Sequence, residues 1–409
     1  MRRYRVDVRD AALRRIGQID AYTNLDVIVR HLDVGTWSLT LPAAHPQARL
    51  LTTGQGVIIW PEGCTGADAA GGREPLLSGP VSKVRHDWSN STGTDGTLTF
   101  TGTCDNVPLA ERIAFPDPAR APDTGNGRYS VDYWTRQGPA ADIVRELVAA
   151  NLGERALPGR RVTGLDTIPP PGTPAATGPA ASARLRFDTA LSAVQTLASG
   201  AGLSVRIVQP DPTAPRLALT VAPVRDRSRE VRLSPQLGNL AAYAYELTAP
   251  KATRAVVAAQ GKGADRFFWQ WTTPEAERDW ARSAEVFVDQ RDTPVPAHLD
   301  ATDAQFAALA EAAGRALEQG GQQAELSLSP IDTPQMTYGL HYQVGDTVTV
   351  TTVGGTDLAY PVREVHITDT ADTSTVQATV GTASATKTPA LYGQVRRLWQ
   401  AVHQLNTRH

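Results

Sequence analysis

The chain has 409 residues, 41% of them hydrophobic and 20% charged, which is enough apolar material for several packed domains rather than one core. Its net charge of −2 gives no global attraction to nucleic acid or to an anionic membrane, so any contact with DNA has to be local. No run approaches the roughly 18 to 20 apolar residues of a membrane-crossing helix, and the basic start Met1-Arg2-Arg3 leads into no apolar stretch of a signal peptide.

From Leu25 to Thr103 short alternating runs are broken by Gly, Pro, Asn and Asp, as in Leu25-Asp26-Val27-Ile28-Val29, Trp37-Ser38-Leu39-Thr40-Leu41 and Leu98-Thr99-Phe100-Thr101. Period-two alternation with frequent turn signals predicts antiparallel strands, hence an all-β domain of barrel or sandwich type over 1–115. Between Pro139 and Leu152 the spacing changes to that of a helix, with Ile143, Leu147 and Val148 on one face and Gly153 as the stop. The stretch 155–182, with Pro169-Pro170-Pro171, reads as an extended connector or exposed loop. Asp188 is the expected cap of a second helix with Leu191, Val194, Gln195 and Leu197 inward, followed by strands 203–208 and 217–221. The unit 125–225 is therefore a small α+β domain.

Strands resume at 241–247 and 253–260. An aromatic and charged stretch from Phe267 to Asp292 and an Ala-rich helix from Asp303 to Glu318 then intervene before strands return at 324–328 and run to Thr379. The simplest account is a second β-domain, 226–262 plus 324–385, with a small domain, 263–323, inserted in it.

The two β-regions share an order of motifs. Gly54-Gln55-Gly56-Val57 is followed by Pro80-Val81-Ser82-Lys83-Val84 and then by a strand ending at Gly102. Gly345-Asp346-Thr347-Val348 is followed by Pro361-Val362-Arg363-Glu364-Val365 and a strand ending at Gly381. Pro to Gly spans 22 positions in one copy and 20 in the other. This pattern predicts a duplication, with chance likeness between two meanders as the competing explanation. Over 386–409 a C-terminal helix is expected, in which Leu391, Val395, Leu398, Val402 and Leu405 follow a 4-3-4-3 spacing. That seam fits either a partner helix on an oligomer axis or a face lying on its own chain.

Catalytic signatures are missing. The eight histidines are scattered without HExxH or a close pair. Gly261-Lys262-Gly263 lacks the first glycine and the Ser or Thr of a phosphate loop, and no G-x-S-x-G elbow surrounds Ser78 or Ser82. Cys64 and Cys104 form neither a CxxC knuckle nor a disulfide framework and read as buried free thiols. Asp289 with Asp292, and Asp369 with Asp372, fit a charged solvent face better than a glycosidase pair. Phe267, Phe268, Trp269 and Trp271 are aromatic residues suited to a domain core or an interface, with stacking on a sugar or base as the alternative.

Several ordered motifs carry a family likeness: Gly35-Thr36-Trp37-Ser38-Leu39-Thr40-Leu41-Pro42, Gly238-Asn239-Leu240, Pro250-Lys251-Ala252-Thr253, Gly261-Lys262-Gly263 with Arg266-Phe267, Glu285 to Asp292, and Tyr338-Gly339 with Tyr342 to Asp346. On these the sequence resembles the tail-hub family of actinobacterial siphophages, the minor tail proteins related in fold to contractile-baseplate hubs. The resemblance implies a mainly β, multidomain chain with two similar tube-like antiparallel β-barrel domains. It also implies a homotrimer presenting a pseudo-hexameric ring at the virion tail tip, assembled in the host cytoplasm, without enzymatic activity or cofactor. Its implied partners are a distal tail or tube protein, the tape measure protein and a fibre or spike, with DNA only in transit. A host-surface carbohydrate-binding tail protein is the alternative, and a cell-wall hydrolase a more distant one.

Overall fold

Apolar and polar residues alternate through the first hundred positions, and the chain turns that alternation into strands. The computed structural model describes residues 4–61, 74–90, 96–123, 127–168, 178–333, 335–352, 355 and 357–380. β1 (Tyr4–Arg9), β2 (Arg15–Ile19), β3 (Asn24–Arg30), β4 (Thr36–Pro42), β5 (Gly56–Pro61), β6 (Leu77–Asp87) and β7 (Thr97–Thr103) form the first region, with neighbours in the order β3-β4-β7-β6-β5-β1-β2. Leu25, Val27 and Val29 of β3 and Trp37, Leu39 and Leu41 of β4 are all buried, because a two-residue period places them on one face. Leu39 lies opposite Phe100 of β7, and Trp37 opposite Gly102. A Cβ on Gly102 would come within 2.3 Å of the Trp37 indole, so the glycine is what lets the ring lie across the sheet.

After α1 (Val107–Glu111) come β8 (Trp134–Pro139), α2 (Ala140–Asn151), β9 (Leu165–Asp166), β10 (Ala180–Leu185), α3 (Ala190–Ala201), β11 (Leu203–Val208) and β12 (Leu217–Pro223). α2 begins directly after Pro139 and buries Ile143, Val144, Leu147 and Val148. These side chains share a core with Val194 and Leu197 of α3 and with Val205, Ile207, Leu219 and Val221 of the β11–β12 hairpin. The cap of α3 differs from expectation. Thr189, not Asp188, accepts the Ser192 N–H at 3.2 Å, while Asp188 accepts from Arg186 N. The hydroxyl three residues before that N–H is the one within reach, which places the cap immediately before the first helical residue. Gly202, at φ 63°, closes the helix in the left-handed conformation. The expected connector carries a short 3-10 turn at Pro158–Arg160 before β9, and its proline run lies outside the described residues.

The remaining elements are β13 (Arg232–Leu233), β14 (Leu240–Thr248), β15 (Arg254–Ala258), β16 (Phe268–Thr272), α4 (Pro274–Trp280), β17 (Glu285–Asp289), α5 (Ala304–Gln319), β18 (Gln323–Pro330), β19 (Thr347–Thr351), β20 (Asp357–Thr370) and β21 (Ser374–Val380). Two compact units result. The first runs to Ala242 and includes Leu328–Thr351 and Ala359–Thr379; the second includes Tyr243–Ser327 and Thr352–Leu358. The chain thus leaves the first unit within β14 and re-enters it within β18.

The repeated motif reappears in backbone geometry. β6 pairs with β5 and β7, and β20 pairs with β19 and β21, so each region holds a three-stranded meander. At the corresponding corner Val81 N–H donates to Gln55 O at 2.8 Å, and Val362 N–H donates to Asp346 O at 2.9 Å. The glycine before each acceptor has positive φ, 80° at Gly54 and 95° at Gly345, a conformation that favours glycine. Strand β20 also pairs with β3, from Glu364 opposite Arg30 to Thr370 opposite Asn24, which joins the two regions edge to edge.

In the second unit the sheet order is β16-β15-β17, covered on one face by α5. Asp303 caps α5 by accepting Gln305 and Phe306 N–H at 2.9 and 3.0 Å. The helix buries Leu309, Ala312 and Ala313, an i, i+3, i+4 stripe.

Candidate functional site

Two polar assemblies tie the meanders of the first unit to its α+β layer. The first is buried. Arg9 donates to both oxygens of Asp105, at 3.0 and 2.5 Å, and to Gln209 Oε1 at 3.0 Å. Ser78 Oγ, at the start of β6, donates to Asp105 at 2.5 Å and accepts Gln209 N–H at 2.9 Å. Gln209 Nε2 donates to Leu13 O at 2.8 Å and Ala214 O at 3.0 Å, so each member meets others. A buried charge pair is tolerated when its remaining donors and acceptors are satisfied, and here they form a closed network.

The second lines a cavity of about 210 Å³ whose walls include His31, Cys104, Ser204, Arg206, Tyr338 and Asp346. Arg225 donates to both oxygens of Asp346, at 2.7 Å each, and Gln343 N–H donates to the same carboxylate at 2.8 Å. Arg206 reaches the carbonyls of Pro75 and Leu76, each at 2.5 Å. His31 lies against Gly345, where a Cβ would approach its ring carbon at 2.8 Å. Burial pushes the His31 imidazole down to about 4, against the opposing pull of Asp346. Its Nε2 is buried without a hydrogen-bond partner among the described residues. The Cys104 thiol is pushed up, first by burial, and its Sγ accepts Gly35 N–H at 3.0 Å. That is opposite to the lowered pKa of a nucleophilic thiolate.

The expected aromatic group lies in the second unit and divides between two environments. Phe267 and Trp271 pack against the α5-covered core. Trp269 stacks on Phe267 at 6.3 Å, meets Phe306 edge-on at 5.6 Å, and stays 38% exposed. Phe268 of the same group is more exposed, at 49%, as is Phe287, which the sequence did not single out, at 57%. They flank β15 on the face away from α5, opposite Ala258 and Val256 respectively. The seam residues Leu391, Val395, Leu398, Val402 and Leu405 lie outside the described residues, as does Cys64.

The acidic pairs separate too. Asp289 is held between Arg266 and Arg291, whose hydrogen bonds bring its carboxyl down to about 2. A carboxylate so held is no proton donor near neutrality. Asp369, expected on a solvent face, is instead 1% exposed, and Tyr22 Oη donates to it at 2.6 Å. The correction follows from register: Asp369 pairs opposite Leu25, a core position of β3. Among the described residues no group of three or more His, Cys, Asp or Glu side chains is placed to hold a metal ion, and no helix is long and apolar enough to cross a membrane.

The whole architecture is similar to two solved tail proteins. The tail protein from Neisseria meningitidis MC58 is 14% identical with a TM-score of 0.52, the match covering 93% of this chain and 97% of that one. The 43 kDa tail protein of prophage MuSo2 from Shewanella oneidensis is 12% identical with a TM-score of 0.51, covering 92% and 98%. At these identities the likeness is one of fold. No curated protein sequence matches the chain. The family model described as Siphovirus ReqiPepy6 Gp37-like protein matches residues 5–382. The chain therefore belongs to the Siphovirus ReqiPepy6 Gp37-like family, with the β-rich fold of phage tail proteins.

Proposed function

We propose that this protein is a structural hub of the phage tail tip or baseplate, a homotrimer rather than an enzyme. The observation that carries the reading is the repeated meander, with its matching Val81-to-Gln55 and Val362-to-Asp346 bonds. Three chains with two such units each present six similar units around one axis, which suits docking onto a six-fold tube while the chain itself stays three-fold. In this reading the two regions act as tube-like β-barrel domains, over 1–115 and over 226–262 with 324–385. The α+β domain, 125–225, and the inserted domain, 263–323, would pack outside or below the ring, and the 386–409 helix would support the three-fold axis. Its neighbours are a tube or distal tail protein and the tape measure protein above and a fibre or spike below, with DNA passing only through the lumen. Negative-stain class averages of the purified chain mixed with tail-tube protein test this. Rings of six similar lobes at tube ends are the expected result, and particles that never join tube ends contradict it.

A second reading, host-surface carbohydrate binding, draws on the exposed Phe268, Trp269 and Phe287, since aromatic faces stack on sugars. Cell-wall glycan binding lost on Trp269→Ala with a native fold favours it, and unchanged binding removes Trp269 from the account.

A further inference from the structure

Two partly buried arginines of the first unit, Arg112 and Arg160, form no ion pair among the described residues. Arg112 follows α1, and Arg160 ends the short turn after α2. They meet where Ile113 bridges to Thr189: Arg160 Nη2 donates to Ile113 O at 2.5 Å, and Arg112 O accepts Ala190 N–H at 2.8 Å. Among the described residues neither arginine forms an ion pair. Asp188, the acidic residue on the paired segment, is occupied with Arg186 N–H. Arg112 Nε and Arg160 Nη1 are buried without hydrogen-bond partners. Burial, and then the charge of Arg112, lowers the Arg160 pKa, as expected of like charges held together.

Aromatic rings brace the pair. The Arg160 guanidinium lies 3.6 Å from the centre of Phe115, and Phe115, Tyr129 and Phe187 form a triangle with centroids 5.9 to 6.3 Å apart. Phe187 holds φ at 62°, a left-handed conformation that is costly for a residue with a Cβ, and its N–H is fixed to Ala114 O at 2.8 Å. The first turn of α3 begins beside Arg112, so its positive end adds to the same field. Cation–π stacking accounts for one face of Arg160 but leaves the like-charge repulsion in place. An oxyanion near both groups would neutralise that repulsion and offer acceptors to their unpartnered donors, and a planar fork suits carboxylate and phosphate oxygens.

We propose that Arg112 and Arg160, backed by Phe115, Tyr129 and Phe187, form a binding site for an oxyanion, either a carboxylate or a phosphate. The site is independent of the trimer reading. Calorimetric titration of the full chain with inorganic phosphate and, separately, with acetate, at ionic strength held constant with chloride, tests it. The expected result is saturable binding of at least one anion, weakened about tenfold or more in Arg112→Gln. Tighter phosphate binding identifies a phosphate-bearing ligand, and tighter acetate binding a carboxylate. Arg160→Lys keeps the charge but loses the fork and is expected to weaken binding as well. Circular dichroism of each variant confirms its fold, and thermal shift of the native chain with each anion provides a readout without variants. Saturable binding of neither anion, or equal binding by a folded Arg112→Gln chain, overturns the proposal.

Discussion

The two meanders share a frame and differ in how they are fastened. At the first, the corner residue Gln55 turns its side chain to the local Thr52 N–H, and the strand is anchored instead through Ser78, inside the Arg9, Asp105 and Gln209 network. At the second, the equivalent Asp346 is itself the anchor, gripping a half-exposed Arg225 at the rim of a cavity that also holds His31. The two meanders thus share a backbone device, a positive-φ glycine before a bonded corner, and differ in the polar fastening. A fully buried fastening is rigid and expensive to break. A rim fastening shares its load with water and sits beside a titratable ring.

Breaking the buried anchor has the largest expected effect. Asp105→Ala leaves Arg9 buried without its carboxylate, and such half-removed pairs cost about 3 to 5 kcal/mol; urea unfolding reads this as a large fall in midpoint. Next is acid sensitivity at the second anchor. His31 titrates lower in the folded chain than in the unfolded one, about 4 against 6.5. Its contribution to stability is therefore complete above pH 6.5 and is lost as pH falls towards 4, to a limit of about 3 kcal/mol. Urea midpoints measured across that window are expected to decline in the native chain and to flatten in His31→Gln. The smallest effect is that of Asp346→Ala, about 1 kcal/mol, because water can solvate the half-exposed Arg225 once its partner is gone. A loss as large as that of Asp105→Ala would erase the proposed difference between the anchors.

Local elements were legible in the sequence where one face is buried, because period determines which residues face inward. β3, β4, α2 and α5 follow directly from Leu25 to Val29, Trp37 to Leu41, Ile143 to Val148 and the Asp303-capped helix. The repeated corner was legible too, since glycine and proline mark it. The family motifs, Gly238-Asn239 and Tyr338 to Asp346 among them, become turns and buried contacts: Asn239 bonds Ser234 N and Arg232 O, and Tyr338 packs edge-on against Tyr342 at 5.5 Å. What stayed illegible depends on distant partners. Arg9 meets Asp105 and Gln209 across 96 and 200 positions, Asp369 finds Tyr22 across 347, and no local spacing encodes such meetings. Phe287 was missed for a related reason: which face of β17 is exposed depends on where α5 packs.

The proposed hub requires a chain with two like meanders to assemble three-fold. Sedimentation equilibrium of the full chain at micromolar concentration tests it most directly. A species of three times the 43.7 kDa chain mass is expected; a single 43.7 kDa species at every concentration would rule out the trimer.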